Sequence, residues 1–334
     1  MKLARIHGPG DLRLDEVPEP ELGPEDVILE VGACGICGSD VGYAKLGGVQ
    51  APTESPMPIG HELAGTVKEV GAQVSGIAVG DRVALNPGAA GFGLGNGGPE
   101  GGFARRLLIR GAAQGKSLFP IPDEMSFEIA ALAEPLGVGM HAVNQVNVAP
   151  GDKVVVLGGG PIGLSSAATL VDRGIEDIVV ADLSEKRLEV ARALGVPTTI
   201  NSAKEDLWTS LGEIHGRQNH YGAPVVGSTV FIEATGSGPL LEEVIQHCAP
   251  SARISVVALH RSPVPVSFML VLMKQIMIQG SMEYPERYED MLELLSRRDL
   301  SPMITHRFGL DDFLEAFAIA QSPDAGAKVM IEMA

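Results

Sequence analysis

The sequence predicts an α/β protein with a β-rich N-terminal part and a second part built from a parallel sheet and crossover helices. Three observations support this fold class. The first third contains short segments rich in Val, Gly and Pro, with few helical patterns. From about Glu134 onward, apolar strand-like segments alternate with helical ones, and a glycine-rich turn follows the first of them. A chain of 334 residues also exceeds what one core usually serves, so two domains are expected.

In the N-terminal part, residues 27–31, 64–70 and 82–85 are predicted strands, because turn residues separate these short apolar runs. The scarcity of helical patterns between them favours a barrel or a sandwich. The strands predicted for the second part are 154–157, 178–181, 230–233, 254–259 and 276–280, and its helices are 164–173 and 185–194. Helices at 286–296 and 311–320 and a last strand at 328–332 are predicted for the tail. Alternating strands and helices are typical of a parallel sheet.

Composition restricts the possible functions. The formal net charge of −17 gives no electrostatic support for binding nucleic acid or an anionic membrane surface. Only three cysteines occur, Cys34, Cys37 and Cys248, so a disulfide framework is not expected and the reducing cytoplasm is the predicted compartment. Neither residues 1–10 nor the apolar run at 268–273 is long enough for a secretory signal or a membrane span.

The turn after the first strand of the second part has the pattern G-x-G-x-x-G. It contains the glycines Gly158, Gly160 and Gly163, with Pro161 and Ile162 before the last of them. In a dinucleotide site the first glycine allows the tight turn, the second lets the backbone approach the pyrophosphate, and the third lets helix and strand pack closely. A purely structural glycine turn is the alternative. A strand before the motif and a helix after it favour a Rossmann, doubly wound cofactor domain.

Asp182 ends the next predicted strand, 19 residues after Gly163. This is near the spacing expected for a carboxylate that accepts hydrogen bonds from the adenosine ribose. A carboxylate there repels a 2′-phosphate, and no Arg follows it immediately, so NAD is the predicted cofactor rather than NADP. Arg187, in the following helix, completes the predicted cofactor-binding set.

Cys37, His61 and Glu134 come from three separate segments and offer a thiolate, an imidazole and a carboxylate. Such a set can form a catalytic zinc site with one position open. Other interpretations exist for each residue. Cys34 and Cys37 have the spacing of a redox pair, a single His on a turn is usually structural, and Glu134 could simply begin a helix. Spacing alone leaves these alternatives open.

Several segments resemble the zinc-dependent medium-chain alcohol dehydrogenases. In the part expected to bind zinc they are residues 60–65, 70–71 and 80–83, and in the part expected to bind the cofactor they are residues 158–163, 182 and 233–236. Residues 37–40 and 134–136 are similar to the polyol, threonine and butanediol dehydrogenase branch of the family. The resemblance covers essentially the whole chain. It implies a GroES-like catalytic domain at 1–136, a Rossmann NAD-binding domain at 137–281, and a segment at 282–334 that returns to the catalytic domain. The active site would lie in the cleft between the domains.

The resemblance also implies roles for individual residues. Cys37 and His61 match zinc ligands, and Glu134 occupies the ligand position of the third segment. Glu62 matches a glutamate that is a ligand in some members and approaches zinc transiently in others, so which glutamate binds at rest stays open. Asp40 resembles the acid that orients the ligand histidine, and Ser39 the hydroxyl that takes the proton of the alcohol. The implied reaction interconverts a secondary alcohol and its ketone with NAD.

Two departures from the family pattern bear on the metal and the proton path. Residues 86–102 contain no Cys where many relatives bind a structural zinc, so one zinc per chain is predicted. This Gly-rich stretch is expected to form either a mobile lid or a compact turn-rich loop. Gly42 stands where a relay His is common, and His141, placed at the start of a helix, is interpreted as structural. The remaining histidines, which show no ligand spacing, are His7, His215, His220, His247, His260 and His306.

The substrate is predicted to be a medium-sized, fairly apolar secondary alcohol, vicinal diol or cyclic alcohol. Glu283 stands where polyol dehydrogenases tend to carry Arg, which disfavours sugar alcohols and anions. L-Threonine or polyol dehydrogenation, a zinc-free reductase of the same superfamily and a non-catalytic NAD-binding structural protein are the alternatives. The expected partner is a small-molecule alcohol or ketone substrate. The protein is expected to form a homodimer or homotetramer whose subunits pair through the edge strand at 276–280. The apolar residues Phe268, Met269, Leu272 and Met273 are assigned to the core, with a pocket wall or a subunit contact as alternatives.

Overall fold

The structure is a computed structural model that describes residues 1–322 and 326–333. It divides into two compact units. The first contains residues 1–134, 288–297 and the described residues from Ile304 onward, and the second contains residues 135–287 and 298–303. Residue 334, where the predicted returning segment ends, lies outside the described residues.

Strands and helices within the described residues are numbered in chain order. The strands are β1 (Lys2–Gly8), β2 (Asp11–Glu16), β3 (Val27–Gly35), β4 (Met57–Pro58), β5 (Glu62–Val70), β6 (Arg82–Leu85), β7 (Arg106–Ile109), β8 (Leu118–Pro120), β9 (Val154–Leu157), β10 (Ile178–Asp182), β11 (Thr198–Asn201), β12 (Arg217–His220), β13 (Ala223–Val226), β14 (Val230–Glu233), β15 (Arg253–Val256), β16 (Met277–Gly280), β17 (Ile304–Gly309) and β18 (Lys328–Glu332). The helices are α1 (Gly38–Leu46), α2 (Phe127–Ala131), α3 (Ala133–Gln145), α4 (Pro161–Asp172), α5 (Glu185–Ala193), α6 (Leu207–Ile214), α7 (Gly238–His247), α8 (Phe268–Lys274), α9 (Glu289–Arg297) and α10 (Phe313–Ala320). Short 3₁₀ turns occur at Pro87–Ala89, Ser301–Met303 and Leu310–Asp312.

The first unit is β-rich, as the sequence predicts. Its larger sheet has the order β17-β18-β3-β5-β6-β8, with β7 also paired to β3, and a smaller sheet has the order β2-β1-β4. The late strand β18 pairs antiparallel with the early strand β3, so the end of the chain returns to this unit. Side chains of β3 and β5 pack in the core of this unit with Phe103 and Phe313, whose ring centroids lie 4.8 Å apart. This core holds the ends of β3 and β5 in place.

The second unit contains a six-stranded parallel sheet with the order β11-β10-β9-β14-β15-β16. From β9 the chain adds strands first on one side and then on the other, which is the doubly wound Rossmann arrangement. The predicted fold class is therefore confirmed. Strand β9, with the sequence Val-Val-Val-Leu, and strand β14, with the sequence Val-Phe-Ile-Glu, are fully buried, as a sheet covered on both faces requires.

The hairpin of β12 and β13 was not predicted. Tyr221 and Gly222 between the two strands both have positive φ, 49° and 87°, which is the two-residue turn that suits a β-hairpin. The strand sequence Arg-Gln-Asn-His lacks the apolar alternation by which strands are recognised. Within the hairpin, β12 is held by backbone pairing, whereas β13 also buries Val225 and Val226.

Several predicted bounds were wrong. The strand predicted at 254–259 ends at Val256, because the backbone N–H groups of Val257 and Ala258 both turn to the carbonyl of Glu233. His141 does not begin a helix, since it lies in the middle of α3. The helix predicted at 286–296 begins at Glu289, and the first turn of the one predicted at 311–320 is a 3₁₀ turn. Four predicted strands, β6, β9, β14 and β18, have the bounds expected from sequence.

The four apolar residues of α8 that the sequence assigned to the core are exposed, so that preferred prediction was wrong, whereas Leu270 and Val271 of the same helix pack against the core of the second unit. Phe268, Met269 and Leu272 are 77%, 71% and 76% exposed in the second unit. The spacing of apolar residues shows that a helix has an apolar face but does not show what covers it. No helix in residues 1–322 and 326–333 is long and apolar enough to cross a membrane.

The glycine-rich stretch at 86–102 forms a compact, turn-rich loop. The N–H of Gly95 donates to the carbonyl of Glu100 over 2.8 Å, and that of Gly102 donates to the carbonyl of Gly60 over 2.8 Å. Leu94 is buried in the core of the first unit. Of the two alternatives considered from sequence, the structure supports the compact loop.

Candidate metal and cofactor sites

The pairing of β3 with β5 brings together three of the predicted metal ligands. Cys37 follows β3 and is the N-cap residue of α1, while His61 and Glu62 stand at the start of β5, where Gly35 pairs with Glu62. One potential ligand atom from each of Cys37, His61 and Glu62 lies within 4.8 Å of the other two. Residues far apart in the sequence therefore form one group.

Asp40 connects Cys37 with His61. Its Oδ2 accepts a hydrogen bond from the backbone N–H of Cys37 over 2.9 Å, and its Oδ1 accepts from that of Gly60 over 3.3 Å. The same Oδ1 lies 3.7 Å from His61 Nδ1. On the other edge of the imidazole, Nε2 lies 3.4 Å from the Ser39 hydroxyl. Ser39 and Asp40 thus stand on opposite edges of the His61 imidazole.

Several acidic groups surround the His61 imidazole. Burial acts to lower its pKa, but the charge of Asp40, the hydrogen bond and charge of Cys37 and the charge of Glu134 outweigh burial and raise the pKa well above its usual value. Within the described residues, the buried Nδ1 of His61 has no hydrogen-bond partner. A thiolate, an imidazole and a carboxylate in a negatively charged pocket match the donor set of catalytic zinc, so the residues present fit the metal.

Glu134 lies near this group without joining it. It is the second residue of α3, is buried, and is not among the residues whose ligand atoms lie within 4.8 Å of one another. Its charge nevertheless acts on His61, Tyr288 and Lys328. The interpretation that Glu134 begins a helix is confirmed, because it stands in the first turn of α3, whereas its assignment as a zinc ligand stays a prediction.

Sequence reasoning missed Lys328, the first residue of β18. Its ammonium is 1% exposed and donates to both carboxylate oxygens of Glu62, over 2.7 and 2.6 Å, and to the carbonyl of Ile36 over 3.1 Å. Burial acts to lower the pKa of Lys328, but the charges of Glu62, Cys37 and Glu134 raise it. Lys328 belongs to no recognisable sequence motif, and only the pairing of β18 with β3 brings it to the site.

Tyr288 is a second residue that the sequence did not indicate. Its hydroxyl donates to the carbonyl of Leu85 over 2.7 Å, and its ring stacks on Phe119 with centroids 4.8 Å apart. Burial raises the pKa of Tyr288 well above its usual range, and the charges of Glu134 and Glu62 add to this shift. The phenol therefore stays protonated beside the acidic group.

Cys34 does not form a redox pair with Cys37. It is fully buried in the core of the first unit, and no disulfide joins the free thiols Cys34, Cys37 and Cys248. Burial raises the pKa of the Cys34 thiol well above its usual value, and the charges of Asp40 and Glu62 raise it further. A buried thiol of this kind is inert.

In the second unit, the glycine-rich turn has the geometry of a dinucleotide site. Gly158 has a φ of 100°, and a Cβ on Gly163 would overlap the carbonyl of Gly158, so neither position tolerates a side chain. A Cβ on Gly160 would meet nothing within 4 Å. Gly160 is also the N-cap of α4, which has no side-chain cap and starts at Pro161 and Ile162. Open space beside uncapped helix N–H groups fits a pyrophosphate.

Asp182 ends β10 next to this turn. Its Oδ2 accepts from the N–H of Gly159 over 2.6 Å and its Oδ1 from the N–H of Ser184 over 2.7 Å. Arg187 Nη1 lies 3.7 Å from the same carboxylate. The predicted cofactor residues of the second unit therefore lie together at the carboxyl ends of β9 and β10. Glu283 is exposed and has a φ of 67°.

Two parts of the chain match known family models. A family model described as an alcohol dehydrogenase GroES-like domain matches residues 23–123, and one described as a zinc-binding dehydrogenase matches residues 161–297. Sorbitol dehydrogenase from Rattus norvegicus is 34% identical over 348 residues, which cover 98% of this chain and 94% of the relative. The chain belongs to the zinc-dependent medium-chain alcohol dehydrogenase family.

Solved structures show the same relationship for this dehydrogenase. An oxidoreductase of unknown specificity from Escherichia coli has a TM-score of 0.87 at 26% identity, and 2R,3R-butanediol dehydrogenase from Bacillus subtilis has a TM-score of 0.85 at 28% identity. Each comparison covers 100% of this chain and 99% of the other. This chain is therefore an enzyme, a zinc- and nicotinamide-dependent oxidoreductase that acts on small-molecule alcohols.

Replacing Lys328 by Met leaves the buried Glu62 carboxylate without its ammonium partner. The free energy of unfolding is expected to fall by about 3–5 kcal/mol, the cost of removing one member of a buried ion pair. Urea unfolding of the zinc-free protein measures this loss, and Lys45→Met, at an exposed site of the same unit, is the matched control. Equal stability of the two variants would contradict the role of Lys328.

Proposed function

We propose that the enzyme interconverts a secondary alcohol and its ketone with zinc held by Cys37, His61 and Glu62. The observation that carries this proposal is the grouping of one thiol, one imidazole and one carboxylate within 4.8 Å. These residues would hold zinc, which would lower the pKa of a substrate hydroxyl, and a bound nicotinamide would accept the hydride. Glu134, outside the group but within range of its charges, is proposed as an electrostatic neighbour and not as the resting ligand.

The protein's own residues prepare the site for this reaction. Asp40 lies at the Nδ1 edge of the His61 ring, so the opposite ring nitrogen, Nε2, faces Ser39. Ser39 is proposed to take the proton that leaves the substrate hydroxyl. Lys328 balances the charge of Glu62, so that three acidic groups can be buried around one metal position.

NAD is proposed as the cofactor, bound by Gly158, Gly160, Gly163, Asp182 and Arg187. The support is the carboxylate of Asp182, which stands at the carboxyl end of β10 and would repel a 2′-phosphate. One zinc per chain is proposed because the loop at 86–102 contains no Cys. The three free cysteines support a location in the reducing cytoplasm.

The limits 1–136, 137–281 and 282–334 are proposed for the catalytic domain, the cofactor domain and the returning segment. The two units support this division, although residues 135–136, 282–287 and 298–303 group with the second unit. For the substrate, we propose a vicinal diol or another fairly apolar secondary alcohol. The butanediol dehydrogenase with a similar structure supports a diol, and Glu283 disfavours an anionic substrate. The sorbitol dehydrogenase relative makes a polyol the second candidate.

The enzyme is proposed to be a homo-oligomer. Strand β16 is the edge of the parallel sheet, and its residues Met277 and Ile278 are 38% and 39% exposed. The exposed apolar face of α8 lies in the same unit and connects directly to β16 in the sequence. An apolar edge strand of this kind invites pairing with a second copy.

Light scattering is expected to give a mass of at least two chains of 34.9 kDa each. Ile278→Lys places a charge on the edge strand and should release monomers. Phe92→Lys, at a residue that is 88% exposed in the first unit, should not. A monomeric native protein would contradict the oligomer.

Elemental analysis is expected to find one zinc per chain. Glu62→Gln should weaken zinc binding by more than the roughly 10- to 100-fold typical of residues that only orient a ligand, and Glu134→Gln should stay within that range. The reverse order would make Glu134 the resting ligand. A native protein with two zinc ions per chain, or none without exposure to chelator, would contradict the proposal.

Ser39→Ala should slow alcohol oxidation by roughly 100-fold or more, the usual contribution of a general acid–base group, while the zinc content stays the same. Ser39→Thr keeps a hydroxyl and is the control. Turnover is measured as NAD reduction against a panel of secondary alcohols, diols, polyols and L-threonine, whose ranking also identifies the substrate class. An unchanged rate in Ser39→Ala would remove Ser39 from the mechanism.

Asp182→Ser should lower the ratio of kcat/KM for NAD to that for NADP by about tenfold or more, because the variant loses a charge that repels the 2′-phosphate. Asp177→Ser is the matched control, since Asp177 precedes the opposite end of the same strand and is exposed. If the native enzyme uses NADP as well as NAD, Asp182 does not select the cofactor.

A further inference from the structure

A buried carboxylate with no role in the proposed chemistry lies at the carboxyl end of β14. Glu233 is fully buried. Its Oε1 accepts hydrogen bonds from the backbone N–H groups of Thr235 and Gly236, over 2.8 and 2.9 Å, and from the Thr235 hydroxyl. Its Oε2 lies 2.8 Å from Nε2 of His260, which donates to it because a carboxylate can only accept. A carboxylate is retained in such a place only when its oxygens are satisfied in this way.

These hydrogen bonds join two loops at the carboxyl edge of the sheet. Thr235 and Gly236 belong to the turn at 234–236 between β14 and α7, and His260 follows β15. The two loops also pack closely, since a Cβ on Gly236 would lie 3.1 Å from the carbonyl oxygen of Leu259. The carboxylate of Glu233 therefore fixes one loop against the other.

The turn at 234–236 also contacts the glycine-rich loop. The N–H of Ala234 donates to the carbonyl of Leu157 over 2.9 Å, and a Cβ on Gly158 would lie 3.1 Å from the carbonyl oxygen of Ala234. Strands β9 and β14 are neighbours at the point where the order of the parallel sheet reverses. Ligands of doubly wound sheets bind in the crevice at that point, so the turn at 234–236 forms part of its wall.

We propose that Glu233 and His260 are a positioning pair that holds the turn at 234–236 in its binding conformation and so sets the affinity for the nicotinamide cofactor. Neither residue is required to touch the cofactor. A wall that is ordered before binding saves the cost of ordering it during binding. The inference rests on the proposed cofactor site in the second unit.

His260 is the residue to vary, because it is partly exposed and lies outside the regular strands and helices. His260→Leu removes the hydrogen bond to Glu233, whereas the side-chain amide of His260→Gln can restore it. His247→Leu is the matched control. This histidine stacks on Trp208 at the far end of α7, whose first turn follows the turn at 234–236.

The Kd for NADH, measured by fluorescence on the zinc-loaded enzyme, is expected to rise about tenfold in His260→Leu and to return close to the native value in His260→Gln. KM for the cofactor should rise in parallel, with kcat at saturating cofactor little changed. Backbone amide hydrogen exchange at Thr235 and Gly236 should be faster in His260→Leu than in the native enzyme.

The proposal is overturned if His260→Leu binds NADH as the native enzyme does, if His260→Gln is as weak as His260→Leu, or if His247→Leu loses as much affinity. Unchanged exchange at Thr235 and Gly236 in His260→Leu would also overturn it. Failure of the proposed cofactor site itself would be seen in the native enzyme. If it binds neither NADH nor NADPH, the proposed cofactor site is wrong, and the positioning pair with it.

Discussion

The antiparallel pairing of β3 with β5 is the constraint on which the metal-binding group depends. It sets Gly35 opposite Glu62. Cys37 follows Gly35 by two residues, and His61 directly precedes Glu62. A Cβ at position 35 would lie 2.3 Å from a carboxylate oxygen of Glu62, so glycine lets this carboxylate keep its position. A shift of the pairing by one residue would turn every side chain of β5 to the opposite face and separate the ligands.

Charge balance is the second requirement of this group. Asp40 and Glu62 are buried beside His61, with Glu134 close by, and the structure supplies one buried ammonium, that of Lys328, directly to Glu62. Such a group carries excess negative charge, which a divalent cation would compensate. Tyr288 and Cys34, whose pKa values are raised by burial, add no further charge. The residues that are not ligands thus decide how many ionised ligands can be buried together.

The second unit has a different requirement, because a dinucleotide site needs accessible backbone N–H groups rather than a high density of charged side chains. The turns at 158–163 and 234–236 leave N–H groups and space at one edge of the parallel sheet. The carboxylates beside these turns mainly accept hydrogen bonds from backbone N–H groups. Asp182 accepts from Gly159, and Glu233 accepts from Thr235 and Gly236, so each carboxylate orders a turn by accepting its N–H groups. Ordered turns reduce the entropy lost when a ligand binds.

The sequence by itself determined the fold class and the glycine-rich turn, and it predicted Cys37, His61, Glu62 and Glu134 as candidate metal ligands without deciding between the two glutamates. These features are local, since a strand of buried Val and Leu, a G-x-G-x-x-G turn and the segments around Cys37 and His61 each occupy a few consecutive residues. Only the tertiary structure decided the parts that depend on distant pairing. Lys328 reaches Glu62 because β18 pairs with β3, and His260 reaches Glu233 because β15 pairs with β14. The exposure of α8 is of the same kind, since an apolar face is a property of sequence, but what covers it is a property of the assembled chain.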